Sequence, residues 1–127
     1  MTRKNVSSGS YLEPSIGFSR ATRICNIIAV SGTAPIARNG STAYLDDMYG
    51  QAKYCLELMK KSIEAAGGKM DNVIRTRIIL TDISRWQQAP SFSFFGFNIV
   101  KSIQHSLYTV NVRIEAGDFN VQRCLRP

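Results

Sequence analysis

The sequence predicts an α+β domain, a mixed sheet with two helices packed on one face. Three observations carry that prediction. Two short apolar-alternating runs, Ser19–Ile24 and Ile27–Ser31, are separated only by Cys25 and Asn26. A long stretch from Met48 to Ala66 repeats apolar residues every three or four positions. A strand-period run, Val73–Leu80, follows it directly. Strands on both sides of one amphipathic helix are the signature of helices laid across a sheet.

Residues 1–15 are polar and carry Gly9 and Pro14, so loose order is expected there. The two runs that follow read as a β-hairpin closed by a two-residue turn, with Asn26 suited to a positive φ. The second run ends in Ser31, Gly32 and Thr33, small residues that leave room for a ligand and offer it hydroxyl donors. Ala37–Thr42 is a turn centred on Asn39-Gly40.

The helix that follows is the clearest element. Asp46 and Asp47 occupy the N-cap and first-turn positions that favour acids. Met48, Ala52, Cys55, Leu56, Met59, Ile63 and Ala66 form one face, and Asp47, Lys53, Glu57, Lys60, Lys61 and Glu64 fill the other. Gly67-Gly68 supplies the left-handed stop, for about six turns in all. In Val73–Leu80, Ile74, Thr76, Ile78 and Leu80 are expected on one face, with Arg75, Arg77 and Ile79 on the other. The arginine-bearing face should meet water, a partner chain or an anionic ligand. Asp82–Trp86 starts a second, irregular helix that Pro90 cuts short. Leu107–Val112 and Phe119–Leu125 read as final strands joined by a turn at Glu115–Asp118.

The chain of 127 residues is the size of one domain, and 1–127 is read as a single unit. No apolar run has the roughly 18–20 residues of a membrane span, and no apolar core follows the basic residues of the N-terminus, so no secretory signal or membrane partner is expected. Cys25, Cys55 and Cys124 suggest neither a disulfide framework nor a metal site, which points to the cytoplasm. Cys25 lacks an evident activating neighbour, and Cys55 and Cys124 read as packing residues. His105, the single histidine, reads as a surface or loop residue. The aromatic cluster Phe92, Phe94, Phe95 and Phe97 is read as packing in preference to base stacking. The net charge of +7 is compatible with anionic partners, RNA included. Its basic residues are scattered with no run longer than two, the pattern of a solvated surface and not of a nucleic-acid footprint. Arg20 and Arg23 are read in the same way, with anion contact at a cleft as the alternative for each.

Five motifs stand in a fixed order: G-F-S-R-A at Gly17–Ala21, V-S-G-T-A-P at Val30–Pro35, Q-A at Gln51-Ala52, A-A-G at Ala65–Gly67, and V-x-R-T-R-x-x-x-T-D at Val73–Asp82. In this order and spacing the chain resembles the YjgF/Rid family of reactive-intermediate deaminases, also called L-PSP endoribonucleases. The resemblance implies a chorismate-mutase-like fold. It also implies a homotrimer with sheets around a central barrel and ligand clefts between subunits. The Arg75/Arg77 face would then look into the trimer. Deaminase members hydrolyse imines or enamines derived from amino acids.

The resemblance further implies a cleft built from an arginine, a glutamate, a tyrosine, a serine and an asparagine. Here the serine is Ser31 and the tyrosine position holds Phe18. The arginine position falls near Leu107 when Val110–Ile114 is aligned with the family's fifth strand, the glutamate position near Gln122, and the asparagine position near Pro90. The implied cleft therefore comprises Phe18, Ser31, Gly32, Thr33, Arg75, Arg77, Leu107 and Gln122, with no metal, no cofactor and no assigned catalytic residue. Residues 87–106 depart in composition from the resemblance, through divergence or through compensating frameshifts. Three functions stay open: a trimer binding a small metabolite and hydrolysing an imine or enamine, an L-PSP-type endoribonuclease or RNA-binding protein, and a non-catalytic ligand sensor.

Overall fold

A computed structural model describes residues 2–77, 80, 82, 84–85 and 111–115, with Arg77 and 111–115 described as backbone. The elements are β1 (Arg3–Val6), α1 (Leu12–Ile16), β2 (Ala21–Ile24), β3 (Ile27–Val30), α2 (Met48–Ala65), a 3-10 turn (Met70–Asn72), β4 (Val73–Arg77) and β5 (Asn111–Glu115). The strands form one sheet in the order β1-β2-β3-β5-β4. The α+β, chorismate-mutase-like class is as expected. The described pairings, however, are all antiparallel, where a mixed sheet was expected.

Residues 2–15 are ordered, contrary to the sequence expectation. β1 pairs with β2 along its whole length and drops Val6 into the core. α1 is a single short helix ended by Gly17, whose φ of 80° lets its N–H reach back to the Glu13 carbonyl. The β2–β3 hairpin forms with the expected two-residue turn, but the left-handed residue is Cys25 (φ 54°), not Asn26. Ala37–Thr42 turns as expected, closed by Ala37 N–H to the Ser41 carbonyl and flanked by an Ile36–Thr42 bridge.

Asp47 caps α2 by accepting from the Gly50 N–H at 3.0 Å. A Cβ at Gly50 would meet the Tyr44 ring and the Asp47 carboxylate, so this helical glycine permits the loop to close on the cap. At 18 residues the helix makes about five turns, one fewer than expected. Met48, Cys55, Leu56, Met59, Ile63 and Ala66 are buried as expected, Ala52 is half-buried, and Gln51 and Ser62 join the buried face. Ser62 can do so because its hydroxyl bonds back to the Leu58 carbonyl at 2.8 Å. The C-terminal end of α2 meets two cations from the sheet. Lys4 Nζ donates to the Ala65 carbonyl (2.6 Å), and Arg23 Nη1 donates to the Ala66 and Gly67 carbonyls (3.1 and 3.0 Å). These cations complement the helix dipole as well as its open carbonyls. Arg23 is thus a helix cap, which its place beside a strand did not reveal.

Strand pairing explains both faces of the sheet. Val6, Ala21, Ile28 and Val30 pack under Met59 and Ile63 of α2 and its C-cap Ala66, with Met70 and Val73 against them. The opposite face leaves Ile24 and Ile27 partly exposed beside Ala29. In β4 the pairing jumps from Val73↔Ile114 to Arg75↔Arg113, so Ile74 is an extra residue. The jump puts Val73 and Thr76 inside and leaves Ile74 55% exposed, correcting its expected core position. Arg75 is exposed, as expected. β5 spans Asn111–Glu115: Asn111 and Val112 are strand as expected, residues 107–110 lie outside the described residues, and Glu115 is strand where a turn was expected. Of the expected second helix, Asp82 is seen accepting from the Ser84 N–H and hydroxyl at 2.9 and 2.6 Å. The remainder, Pro90, the Phe92–Phe97 cluster, His105, Leu107, Asp118, 119–125, Gln122 and Cys124 lie outside the described residues.

Candidate functional site

A cleft of about 950 Å³ opens where the hairpin, the N-terminal segment and α2 meet. One wall is the turn from Ser8 to Leu12 with Ile16. A second is the hairpin end, with Phe18, Arg20, Ser31 and Gly32. A third runs from Ala34 to Arg38, and α2 contributes Tyr54, Glu57, Leu58 and Lys61 at helical spacing. The Tyr54 hydroxyl donates to the Ile36 carbonyl at 3.1 Å and fixes the third wall to the helix. A cleft of this size falls in the usual range for small-molecule sites, roughly 300–1,000 Å³.

Arg20 organises the hairpin wall. It is only 6% exposed. Its Nη1 donates to the Gly32 carbonyl (2.8 Å) and the Thr33 hydroxyl (3.3 Å), and its Nε donates to Ser8 Oγ (3.2 Å). The guanidinium carbon lies 5.2 Å from the Phe18 ring centroid. Glu13, also buried, faces it with Oε1 3.9 Å from Nε. Glu13 in turn accepts from the Ser7 hydroxyl and from the Ser8 N–H and hydroxyl. Burial alone would push the Glu13 carboxyl up. The serine hydrogen bonds and the Arg20 charge outweigh it and hold the carboxyl below its ordinary value. For Arg20, burial pulls the guanidinium down while Glu13 opposes that shift. Burial likewise pushes the Cys55 thiol up to about 12, against a smaller pull from Arg20, which fits a core residue.

The expected cleft residues divide. Phe18, Ser31 and Gly32 come together in the cleft. Thr33 is fully buried behind it and is absent from the lining. Arg75 sits on the exposed face of β4 and does not line it either. Arg77 is placed in β4 as backbone, paired with Asn111, while Leu107 and Gln122 lie outside the described residues. The hydroxyls also behave differently from expectation. Ser31 donates its proton to the Ser19 carbonyl (2.6 Å) and Thr33 to the Ser31 carbonyl (3.1 Å), so neither is left as a donor for a ligand. Glu13 and Tyr54 were missed, and Arg20 was read mainly as surface charge. The available signal was Arg20 standing just before β2, three residues after the turn glycine Gly17.

Among the described residues no group of three or more His, Cys, Asp or Glu side chains could hold a metal ion. Among them, too, no helix is long and apolar enough to cross a membrane.

Fold and site together define a small α+β protein of chorismate-mutase-like fold with a ligand-sized cleft at the end of its second hairpin strand. The family model described as Endoribonuclease L-PSP matches residues 9–114, and the chain belongs to that family, the YjgF/Rid group its motifs resemble. A member of the YjgF/YER057c/UK114 family from Mycobacterium tuberculosis is 30% identical, with 91% of this chain and 98% of that one covered at a TM-score of 0.70. The yjgF gene product of E. coli is 19% identical, with 90% and 94% covered at a TM-score of 0.66. A protein of the conserved Rid family from Yersinia pestis, itself of unknown function, is 18% identical, with 92% and 100% covered at a TM-score of 0.69. The last two likenesses show the fold alone.

Proposed function

We propose that this chain is a cytoplasmic homotrimer that binds a small metabolite in the cleft and hydrolyses an imine or enamine there. The observation that carries the proposal is the cleft itself. It is sized for a metabolite, and Phe18, Ser31 and Gly32 line it at the motif positions the family resemblance marks. In the reaction, water adds to the C=N carbon of the imine, the C–N bond breaks, and ammonia and a carbonyl product leave. Ser31 Oγ gives its proton to Ser19, so its lone pairs are the groups that accept from the ligand's N–H or from that water. Trimer formation is supported by the uncovered sheet face, where Ile24, Ile27 and Ile74 keep apolar surface in water.

The test is release of ammonia from 2-aminoacrylate generated in solution, with sedimentation on the same sample. Turnover above the spontaneous rate, at a mass three times the 14.1 kDa protomer, is the expected result. Hydrolysis at the spontaneous rate removes the hydrolase reading, and a stable monomer removes the trimer.

A further inference from the structure

The cleft has more room than a three-carbon imine fills. Its volume of about 950 Å³ lies at the upper end of the usual range for small-molecule sites. Tyr11, Leu12, Ile16, Phe18, Ile36 and Leu58 give it apolar walls, and of these Tyr11 and Ile16 remain 52% and 68% exposed. Apolar surface left in water along a concave wall is surface that a ligand can cover.

Three aromatic rings line the cleft among the described residues, and two of them are already engaged. Phe18 has the Arg20 guanidinium 5.2 Å from its centroid. Tyr54 meets the Tyr44 ring at 6.3 Å and donates to the Ile36 carbonyl. The Tyr11 side chain has neither a ring partner nor a hydrogen bond among the described residues. Its far end rests on the Asn39-Gly40 turn, where a Cβ at Gly40 would stand 3.2 Å from Tyr11 Oη and 3.6 Å from Cζ. The ring thus reaches from the first wall of the cleft to the turn that follows the third. That turn is tied by Gly40 N–H to the Ala37 carbonyl (2.9 Å) and by Asn39 Oδ1, which accepts from the Ser41 N–H and hydroxyl. At the other end the Ser15 hydroxyl donates to the Tyr11 carbonyl (3.2 Å). Both ends of the ring's reach are fixed before any ligand arrives, and a tyrosine has only two side-chain torsions to settle on binding. We propose that Tyr11 is a specificity-determining residue of this cleft and that it packs against the aromatic side chain of the bound metabolite. The inference rests on the metabolite-binding reading above and names a substrate class for that site, imines whose side chain carries an aromatic ring.

The experiment titrates the full chain calorimetrically with two probes that share one head group, pyruvate and 4-phenyl-2-oxobutanoate. Whatever binds the head cancels in the ratio of the two affinities. The phenyl probe should bind about tenfold more tightly or better, the value of burying an aromatic side chain. Tyr11→Ala should cut that preference about five- to tenfold, and Tyr11→Phe should keep it, because the Tyr11 hydroxyl is unbonded. A general loosening of the cleft would weaken both probes together and leave the ratio unmoved. If Tyr11→Ala fails to fold, Tyr11→Leu removes the ring, keeps an apolar side chain and reads the same ratio. Equal affinity for the two probes overturns the proposal, as does a ratio that survives loss of the ring. Saturable pyruvate binding without a phenyl preference removes this inference alone. Failure of both probes to bind removes the metabolite-binding reading and this inference with it.

Discussion

Replacing Arg20 by Met removes the charge and keeps most of the stem, which isolates the buried Glu13–Ser8–Arg20 chain. Unit charges 3.9 Å apart attract by about 4 kcal/mol at an effective dielectric of 20. The attraction is not a net gain, because both groups are desolvated. What the substitution exposes is the cost of stranding one partner, about 3–5 kcal/mol for a buried pair. Glu13 keeps its hydrogen bonds from Ser7 and Ser8, which lowers the cost, while the Gly32 carbonyl and Thr33 hydroxyl lose their donor, which raises it. The expected loss is therefore about 3–4 kcal/mol. Urea unfolding followed by circular dichroism, at one protomer concentration, measures it. Glu13→Gln and the double variant complete a cycle, and the double variant should recover about 1–3 kcal/mol relative to the sum of the singles. A loss below about 1 kcal/mol for Arg20→Met, or coupling below about 0.5 kcal/mol, would refute the claim that the pair holds the N-terminal segment in place.

The Glu13 carboxyl is held below its ordinary value of 4.5, so its contribution is fully present above that pH and is lost as pH falls through the lower folded value. Stability should decline along that acid limb, and Glu13→Gln should flatten it in a pH series of urea midpoints. Cys55, with its thiol pushed up to about 12, should resist iodoacetamide at pH 8 in the folded protein, with a thiolate fraction on the order of 10⁻⁴, while the half-exposed Cys25 reacts. Peptide mass mapping reads both. Arg23→Met removes the donors to the Ala66 and Gly67 carbonyls and should cost about 1–2 kcal/mol in urea unfolding.

The parts of the fold that sequence predicts well are those where periodicity and end signals agree. The β2–β3 hairpin and α2 are such cases, with Asp47 at one end of the helix and Gly67 at the other. Ile74 shows where the period misleads. A bulge adds one residue to β4, and every inside–outside assignment on one side of the bulge is reversed. Residues 2–15 mislead for another reason. Their order comes from pairing with β2 and from one carboxylate, Glu13, and polar composition shows neither. The cleft residues Phe18, Ser31 and Gly32 were legible through their motif positions, but the direction of each hydroxyl proton was not, because that depends on which carbonyl lies within reach in three dimensions.

The order of the N-terminal segment and the character of the cleft have a common cause. An arginine at the start of β2 is buried at a steep cost unless a carboxylate reaches it. The carboxylate that does so comes from α1, and it brings Ser7 and Ser8 with it. The same contacts draw the turn Ser8–Leu12 over the hairpin and create the cleft's first wall. Arg20 then ties the Gly32 carbonyl and Thr33 hydroxyl to itself, which turns the strand end from a source of small neutral donors into the floor beneath a fixed cation.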